Sequence, residues 1–191
     1  MKFDQAIKNK DTFYKAKQQI KSKEEEKLKK QFIKLLQAAY CDEWVAVYQY
    51  SVEADYLNKL NYQGQLSDKA YNQIVKELNI HTQEEFNHAK LIVPELIILN
   101  SEPIYQIDML QLTANAPMVI PEKDHNNILF QALEAEEGAI KVYQTITDLV
   151  KDTKICSAKF QESLKFILDQ EYEHRSDLDK LIYQFKKKDK K

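Results

Sequence analysis

The chain has 191 residues, enough for one domain of four long helices or at most two small domains. With two glycines and four prolines there is little material for turns, so the composition says mostly helix. Two cysteines are too few for a disulfide framework, Met1 to Lys10 has no apolar signal core, and no run of eighteen uncharged apolar residues occurs; a membrane-spanning or secreted protein is not expected, and a reducing cytoplasm fits.

The formal charge of −2 is unevenly spread. Residues 1 to 30 carry ten Lys against five acids, and residues 186 to 191 carry five Lys against one Asp, so the body between them is strongly acidic. The sequence divides accordingly into a polar N-terminal extension over 1–30, a bundle over 31–185 and a basic tail over 186–191. The basic ends are either solvated tails or contacts for nucleic acid.

Thr12 to Lys30 is rich in Lys and Glu with scattered Phe13, Tyr14 and Ile20, and reads as a short or marginal helix. From Phe32 the apolar spacing becomes regular: Phe32, Leu36, Ala39, Glu43, Val47, Tyr50, Ala54 and Leu57 share one helix face. Glu43 interrupts that face. The stretch from Asn61 to Asp68 holds Gly64 and offers Ser67 as a cap for the next helix. That second helix presents Ile74, Leu78, His81, Glu85, His88, Ile92 and Leu96, with Pro94 expected to kink it or shift its last turn.

Ser101 to Asp124 contains Pro103, Pro117 and Pro121 and reads as a long crossover with room for a short helix, which lets the second and third helices run parallel. Pro121, Glu122 and Asp124 look like the next helix start. The third stripe is Leu129, Leu133, Glu136, Ile140, Tyr143 and Val150, and the fourth is Phe160, Leu164, Ile167, Glu171, His174, Leu178, Leu181 and Phe185.

Six ionisable groups therefore fall where a core should be. In chain order they read Glu43, then Glu85 with His88, then Glu136, then Glu171 with His174: a lone Glu and a Glu-x-x-His pair, repeated. A tyrosine follows each lone Glu by seven residues, as Tyr50 and as Tyr143. Burying such groups unpartnered is costly, and two divalent first-row ions would turn all six into ligands while balancing four carboxylates. A further Glu-x-x-His, Glu122 and His125, lies too far from Glu136 to join them and reads as helix-start polarity, with a pore or outer metal site as the other reading. Glu84, Glu134 and Glu137 fall off the stripes and read as solvated. His81 reads as a satisfied helix-face histidine or as a group beside the ligands. Trp44 reads as packing, Gly138 as a place of close helix approach, and Cys41 as lying on another face than Glu43.

At these residues the chain resembles the ferritin-like superfamily, and within it bacterioferritins and Dps-like proteins with a bacterioferritin-type di-iron site. Asp42-Glu43-Trp44-Val45-Ala46-Val47-Tyr48-Gln49-Tyr50 is similar to the bacterioferritin first helix, with Glu43 at the ligand position and Tyr50 at the site tyrosine. Glu85-Phe86-Asn87-His88 and Glu171-Tyr172-Glu173-His174 are similar to its two Glu-x-x-His segments, and Leu133-Glu134-Ala135-Glu136 followed by Ala139-Ile140 resembles the third helix of the Dps-like branch. The resemblance implies an all-α, ferritin-like four-helix bundle with a long crossover between its second and third helices. It implies two iron ions per subunit, with manganese as the other candidate, held by Glu43, Glu85, His88, Glu136, Glu171 and His174. The implied activity is that of a ferroxidase taking Fe(II) with hydrogen peroxide or oxygen, and storing ferric iron.

Departures shape the remaining expectations. Phe86 stands where bacterioferritins carry the haem-binding Met, so haem is not expected; Gly138 and Thr147 stand where some Dps-like relatives carry a cysteine pair. After Phe185 only a lysine tail remains, too short for the fifth helix of 24-subunit ferritins, which favours a homo-oligomeric shell of twelve. The alternatives are a small di-iron or manganese–iron oxidase or peroxidase without storage, and a shell that binds nucleic acid through its lysine tails.

Overall fold

The computed structural model describes residues 2–116, 118–121 and 124–186, with side chains described between Ser22 and Phe185. Five helices follow one another: α1 (Lys2–Tyr62), α2 (Asp68–Ile98), α3 (Ile107–Thr113), α4 (His125–Val150) and α5 (Ala158–Lys186). No strand occurs among the described residues. None of these helices is long and apolar enough to cross a membrane. The expected short N-terminal helix is instead the leading part of α1, which runs unbroken through residue 30. Ala, Lys, Glu and Gln have high helix propensity, and that stretch has no Gly or Pro to stop it. The expected basic tail beyond Lys186 lies outside the described residues, as do Glu122 and Pro117.

Local chemistry sets the turns. Gly64 adopts φ 71°, a left-handed conformation, where Gln65 N–H donates to the Leu60 carbonyl and ends α1. Asn61 Nδ2 bridges to the Leu66 carbonyl and to Asp68, and Ser67 Oγ accepts from Ala70 N–H to start α2. Asn100 takes the equivalent left-handed place after α2, at φ 57°. Asp124 caps α4 by accepting from Asn126 and Asn127 N–H. The polar α1–α2 turn and the polar α4–α5 turn thus produce two helical hairpins.

Cross-contacts define how the hairpins pack. Tyr50 meets Glu136 and Tyr143 meets Glu43, so α1 and α4 run antiparallel; Gln73 meets Gln184 and His88 meets Gln170, so α2 and α5 do as well. It follows that α2 and α4 are parallel, which requires a connection spanning the bundle. The crossover does this along α1: Gln37 donates to Ser101 Oγ, Asp42 accepts from Asn115 and Ala116 N–H, and Gln49 accepts from Val119 N–H.

The core is apolar at both ends and polar in the middle. One apolar cluster contains Phe32, Leu36, Ile92, Leu96, Ile146, Leu164 and Ile167; the other contains Leu57, Ile74, Leu78, Ile128, Leu129, Leu178 and Ile182. Each such buried side chain contributes about 1.5–3 kcal/mol of transfer free energy, so the two ends hold the bundle around a layer that costs free energy to bury. Cys41, expected on another face than Glu43, is fully buried in the first cluster because the α1 surface facing the other helices is wider than one stripe.

α2 is continuous through Pro94, and the residue after it has a distinct role. Glu95 is buried and accepts from Ser157 N–H at 2.9 Å and Ser157 Oγ at 2.5 Å, while Ser157 Oγ accepts from Phe160 N–H at the start of α5. This clamp fixes the α4–α5 turn against the end of α2. Ser157→Ala removes the cap and one partner of a buried carboxylate, so urea unfolding is expected to show a loss of about 1–2 kcal/mol.

Candidate metal centre

The helical periodicities bring Glu43, Glu85, His88, Glu136, Glu171 and His174 into one layer, and all six are buried. Their donor atoms form two overlapping groups. Glu43, Glu85, His88 and Glu171 each offer an atom within 4.8 Å of one another, and so do Glu85, Glu136, Glu171 and His174. Glu85 and Glu171 belong to both. Glu85 reaches the two imidazoles with separate oxygens, Oε2 lying 2.9 Å from His88 Nδ1 and Oε1 lying 3.3 Å from His174 Nδ1. Glu171 Oε1 lies 3.1 Å from His88 Nδ1, yet neither Glu171 oxygen has a hydrogen-bond partner, and neither does His174 Nδ1. Orphaned buried acceptors of this kind are rare in folded proteins, and a cation removes the deficit.

The lone glutamates are held by the tyrosines in a crossed arrangement. Tyr143 O–H donates to Glu43 Oε1, and Tyr50 O–H donates to Glu136 Oε1. Each tyrosine thus serves the glutamate of the other hairpin and leaves Oε2 turned toward an imidazole, at 3.5 Å for Glu43 and His88 and 3.6 Å for Glu136 and His174.

The imidazoles are oriented from behind by two residues that do not belong to the apolar stripes. His88 Nε2 lies 3.0 Å from Gln170 Oε1, Gln170 Nε2 donates to Glu84 Oε1 at 2.9 Å, and Glu84 Oε2 lies 2.8 Å from His174 Nε2. A proton on each Nε2 satisfies this chain and turns each Nδ1 toward the carboxylates. Glu84, expected to be solvated, therefore belongs to the site. Its signal was present in the repeat, since Glu84 and Gln170 each stand immediately before the Glu of a Glu-x-x-His segment.

Several other side chains surround the layer. Glu53 is fully buried, with Oε1 accepting from Gln49 Nε2 at 2.7 Å and Oε2 unpartnered. It lies three residues after Tyr50, a helical spacing that could have identified it, but the stripe drawn through Ala54 passes beside it. His81 is fully buried and stacked on His174 with ring centroids 4.1 Å apart, and neither of its nitrogens has a hydrogen-bond partner. His125 stands at the start of α4 against Phe185, away from the layer. Trp44 packs edge-on against Phe86, with centroids 5.5 Å apart. Glu134 and Glu137 are exposed.

A cavity of about 180 Å³ opens between α1 and α4 and reaches the layer at Glu43, Tyr50, Glu85 and Glu136, with Glu53 and Gly138 in its wall. Gly138, expected at a close helix approach, has nothing within 4 Å of where a Cβ would stand. Its missing side chain widens this opening instead.

Proton affinities follow from burial and neighbours. Burial and the facing Glu85 push Glu43 up to about 8, and burial with Glu85 raises Glu171 well above the carboxylate range. Burial also pushes Glu53 up to about 8. Glu85 goes the other way: burial raises it, but the imidazoles of His174 and His88 that face its two oxygens outweigh burial and hold it low. Burial disfavours charge on His88 and His174, yet their carboxylate neighbours raise both, His174 to about 12. His81 is pushed down to about 4 by burial and by His174. In the absence of cations the layer therefore keeps protons to hold its negative charge down.

No protein-family model matches the chain, and no curated protein matches it in sequence. Among solved structures it is similar to a dodecameric thioferritin, the bacterioferritin-related protein from Bacteroides fragilis, at 27% identity and TM-score 0.73 over 83% of this chain and 88% of that one. Dps from Thermosynechococcus elongatus superposes with TM-score 0.68 at 12% identity over 82% of this chain and 92% of its own. The bacterioferritin of Desulfovibrio desulfuricans, a protein with a diiron site, does so with TM-score 0.68 at 17% identity over 85% and 84%. Two antiparallel hairpins joined by a long crossover, closed around a buried layer of acids and imidazoles, place the chain in the ferritin-like superfamily.

Proposed function

We propose that the protein is a ferroxidase that takes Fe(II) as substrate, binds it in pairs in the buried layer, and keeps the ferric product within a homo-oligomeric shell. The observation that carries this reading is the pair of overlapping four-residue groups sharing Glu85 and Glu171. Carboxylates and imidazoles without thiolates suit iron or manganese, and four carboxylates balance two divalent charges. Glu85 and Glu171 would bridge; Glu43 with His88 would complete one position, and Glu136 with His174 the other. Bound iron supplies the redox chemistry: two ferrous ions provide the two electrons that reduce one hydrogen peroxide, with two protons, to two waters. Oxygen is the other oxidant that fits.

The protein's own groups have separable tasks in this reading. Tyr50 and Tyr143 orient Glu136 and Glu43, and burial keeps both phenols protonated far above their ordinary value, so each holds its glutamate as a donor. Tyr50, which also faces the cavity, is placed to give up an electron and its proton when an oxidant draws more electrons than the metals supply. Glu84 and Gln170 fix the imidazole tautomers. The cavity between α1 and α4 offers a route for oxidant or cation.

Assembly is supported by two observations. The Bacteroides fragilis protein is dodecameric, and here Ile97, Ile98, Tyr105, Ile107, Leu112 and Ile120 present large apolar surfaces to solvent along the end of α2 and the crossover. A shell of twelve subunits follows as the assembly we favour, with a cytoplasmic setting consistent with two free buried cysteines.

Two outcomes test this function. Glu85→Gln or Glu171→Gln removes a bridging ligand and is expected to lower the initial rate of peroxide-dependent Fe(II) oxidation by on the order of 100-fold while helicity is retained; full activity would rule the centre out. The second concerns pH. Between pH 6.5 and 8 the shifts of Glu43, Glu53, Glu171, His88 and His174 share one sign, because each is raised in the folded chain. Their stabilising protons are fully held below the unfolded values and lost as pH rises through the folded ones, so the metal-free protein weakens across this window. Divalent cations displace the protons of Glu43, Glu171, His88 and His174, so the gain in thermal midpoint on adding Co(II) should widen from pH 6.5 to 8. An equal gain at both values would contradict the assignment.

A further inference from the structure

The two hairpins repeat each other around the centre, and His81 breaks the repeat. Glu85 corresponds to Glu171 and His88 to His174, so His81 corresponds to Ile167, which is an ordinary core residue of the apolar cluster. At the same register Glu77 corresponds to Ser163 and Asp177 to Leu91. One side of the centre thus carries a set of ionisable groups that its counterpart lacks, and core packing alone does not call for them.

The geometry around His81 shows what they could do. The ring is fully buried, and both nitrogens lack hydrogen-bond partners, a costly state for an imidazole that an apolar residue would avoid. Its Nε2 lies 3.6 Å from Glu77 Oε1, and its Nδ1 lies 3.8 Å from Glu136 Oε1. One nitrogen therefore faces outward between α2 and α5, and the other faces the centre. Glu77, His81 and Asp177 each offer a donor atom within 4.8 Å of the others, and His81, Glu136 and His174 do the same on the inner side. The carboxylates of Glu77 and Asp177 are half-buried and face each other, with Lys180 on Asp177 Oδ1 at 2.5 Å. A small divalent ion forms bonds of roughly 2.0–2.2 Å with N and O, so binding would draw Glu77 and Asp177 in toward His81 Nε2 by rotation about their side-chain bonds. Two carboxylates and one imidazole leave room for water, so binding would be exchangeable.

We propose that Glu77, His81 and Asp177 form a third metal site, taking one divalent transition ion on the α2–α5 side of the bundle. His81 is common to this site and to the inner group with Glu136 and His174, so the same ring can hold an ion on either nitrogen. It provides a stepping point between the α2–α5 surface and the centre, on the side opposite the α1–α4 cavity. The stepping role rests on the ferroxidase reading; the site itself does not.

The test uses the assembled full-length protein and Co(II) alone. Equilibrium dialysis is expected to give three Co(II) per subunit, and anomalous scattering from crystals soaked in Co(II) is expected to place the third ion among Glu77, His81 and Asp177. Both half-exposed carboxylates can be replaced without disturbing the core. In the Glu77→Gln, Asp177→Asn double variant the third ion should bind at least about tenfold more weakly, with the two central ions retained. A wild-type protein binding only the two central ions, or a third ion that survives the double variant, would overturn the site. Occupancy of the third position with an empty centre would support it and count against the ferroxidase reading.

Discussion

Everything in this bundle is arranged around the cost of placing four carboxylates and two imidazoles in a dry layer. Desolvation alone would drive the carboxylates to keep their protons, and Glu43 and Glu171 are raised for that reason. The chain tolerates the layer because apolar clusters close it on both sides and because nearly every donor has a second contact that fixes its direction. The atoms left over, both oxygens of Glu171 and Nδ1 of His174, converge on the same small volume. A network of hydrogen bonds would have paired them, whereas open, converging donors suit a cation.

Duplication of a hairpin explains most of the design. Each lone Glu takes its hydrogen bond from the tyrosine of the other hairpin, and each imidazole is braced by the residue preceding the other Glu-x-x-His or by its partner in that chain. Crossing the supports in this way ties the two hairpins together through the buried layer, so that the geometry of each Glu–His group depends on both. The departures from the repeat fall on one side. His81 and Glu53 stand near Tyr50 and Glu136, where the corresponding places, Ile167 and Ile146, are apolar. The surroundings of Glu136 and His174 are consequently polar, and those of Glu43 and His88 are apolar.

The helices, the crossover and the six-residue layer could be read in the sequence because they follow from periodicity: a polar group on an apolar stripe repeats with the helix and identifies itself. Ser67 and the Gly64 turn were legible from backbone chemistry for the same reason. What escaped lay beside the stripes. Glu84 lies off the apolar face, where solvent is the expectation, yet a side chain at the stripe's edge reaches inward along its own length. Glu53 falls beside the stripe because a 3.6-residue helix drifts against a line drawn in steps of three and four. Gly138 borders open space where a mid-helix glycine suggests close packing, and no spacing rule distinguishes the two. Crossed tyrosine pairing could not be read at all, since it depends on how two hairpins face each other.

The central claim is that Glu85 and Glu171 bridge two irons in one buried centre, and Mössbauer spectroscopy tests it most directly. Anaerobic protein loaded with iron-57 at two Fe(II) per subunit should show high-spin ferrous iron that, after one equivalent of hydrogen peroxide, converts to an exchange-coupled diferric pair. Isolated, uncoupled ferric ions, or ferrous iron left unoxidised, would contradict the account.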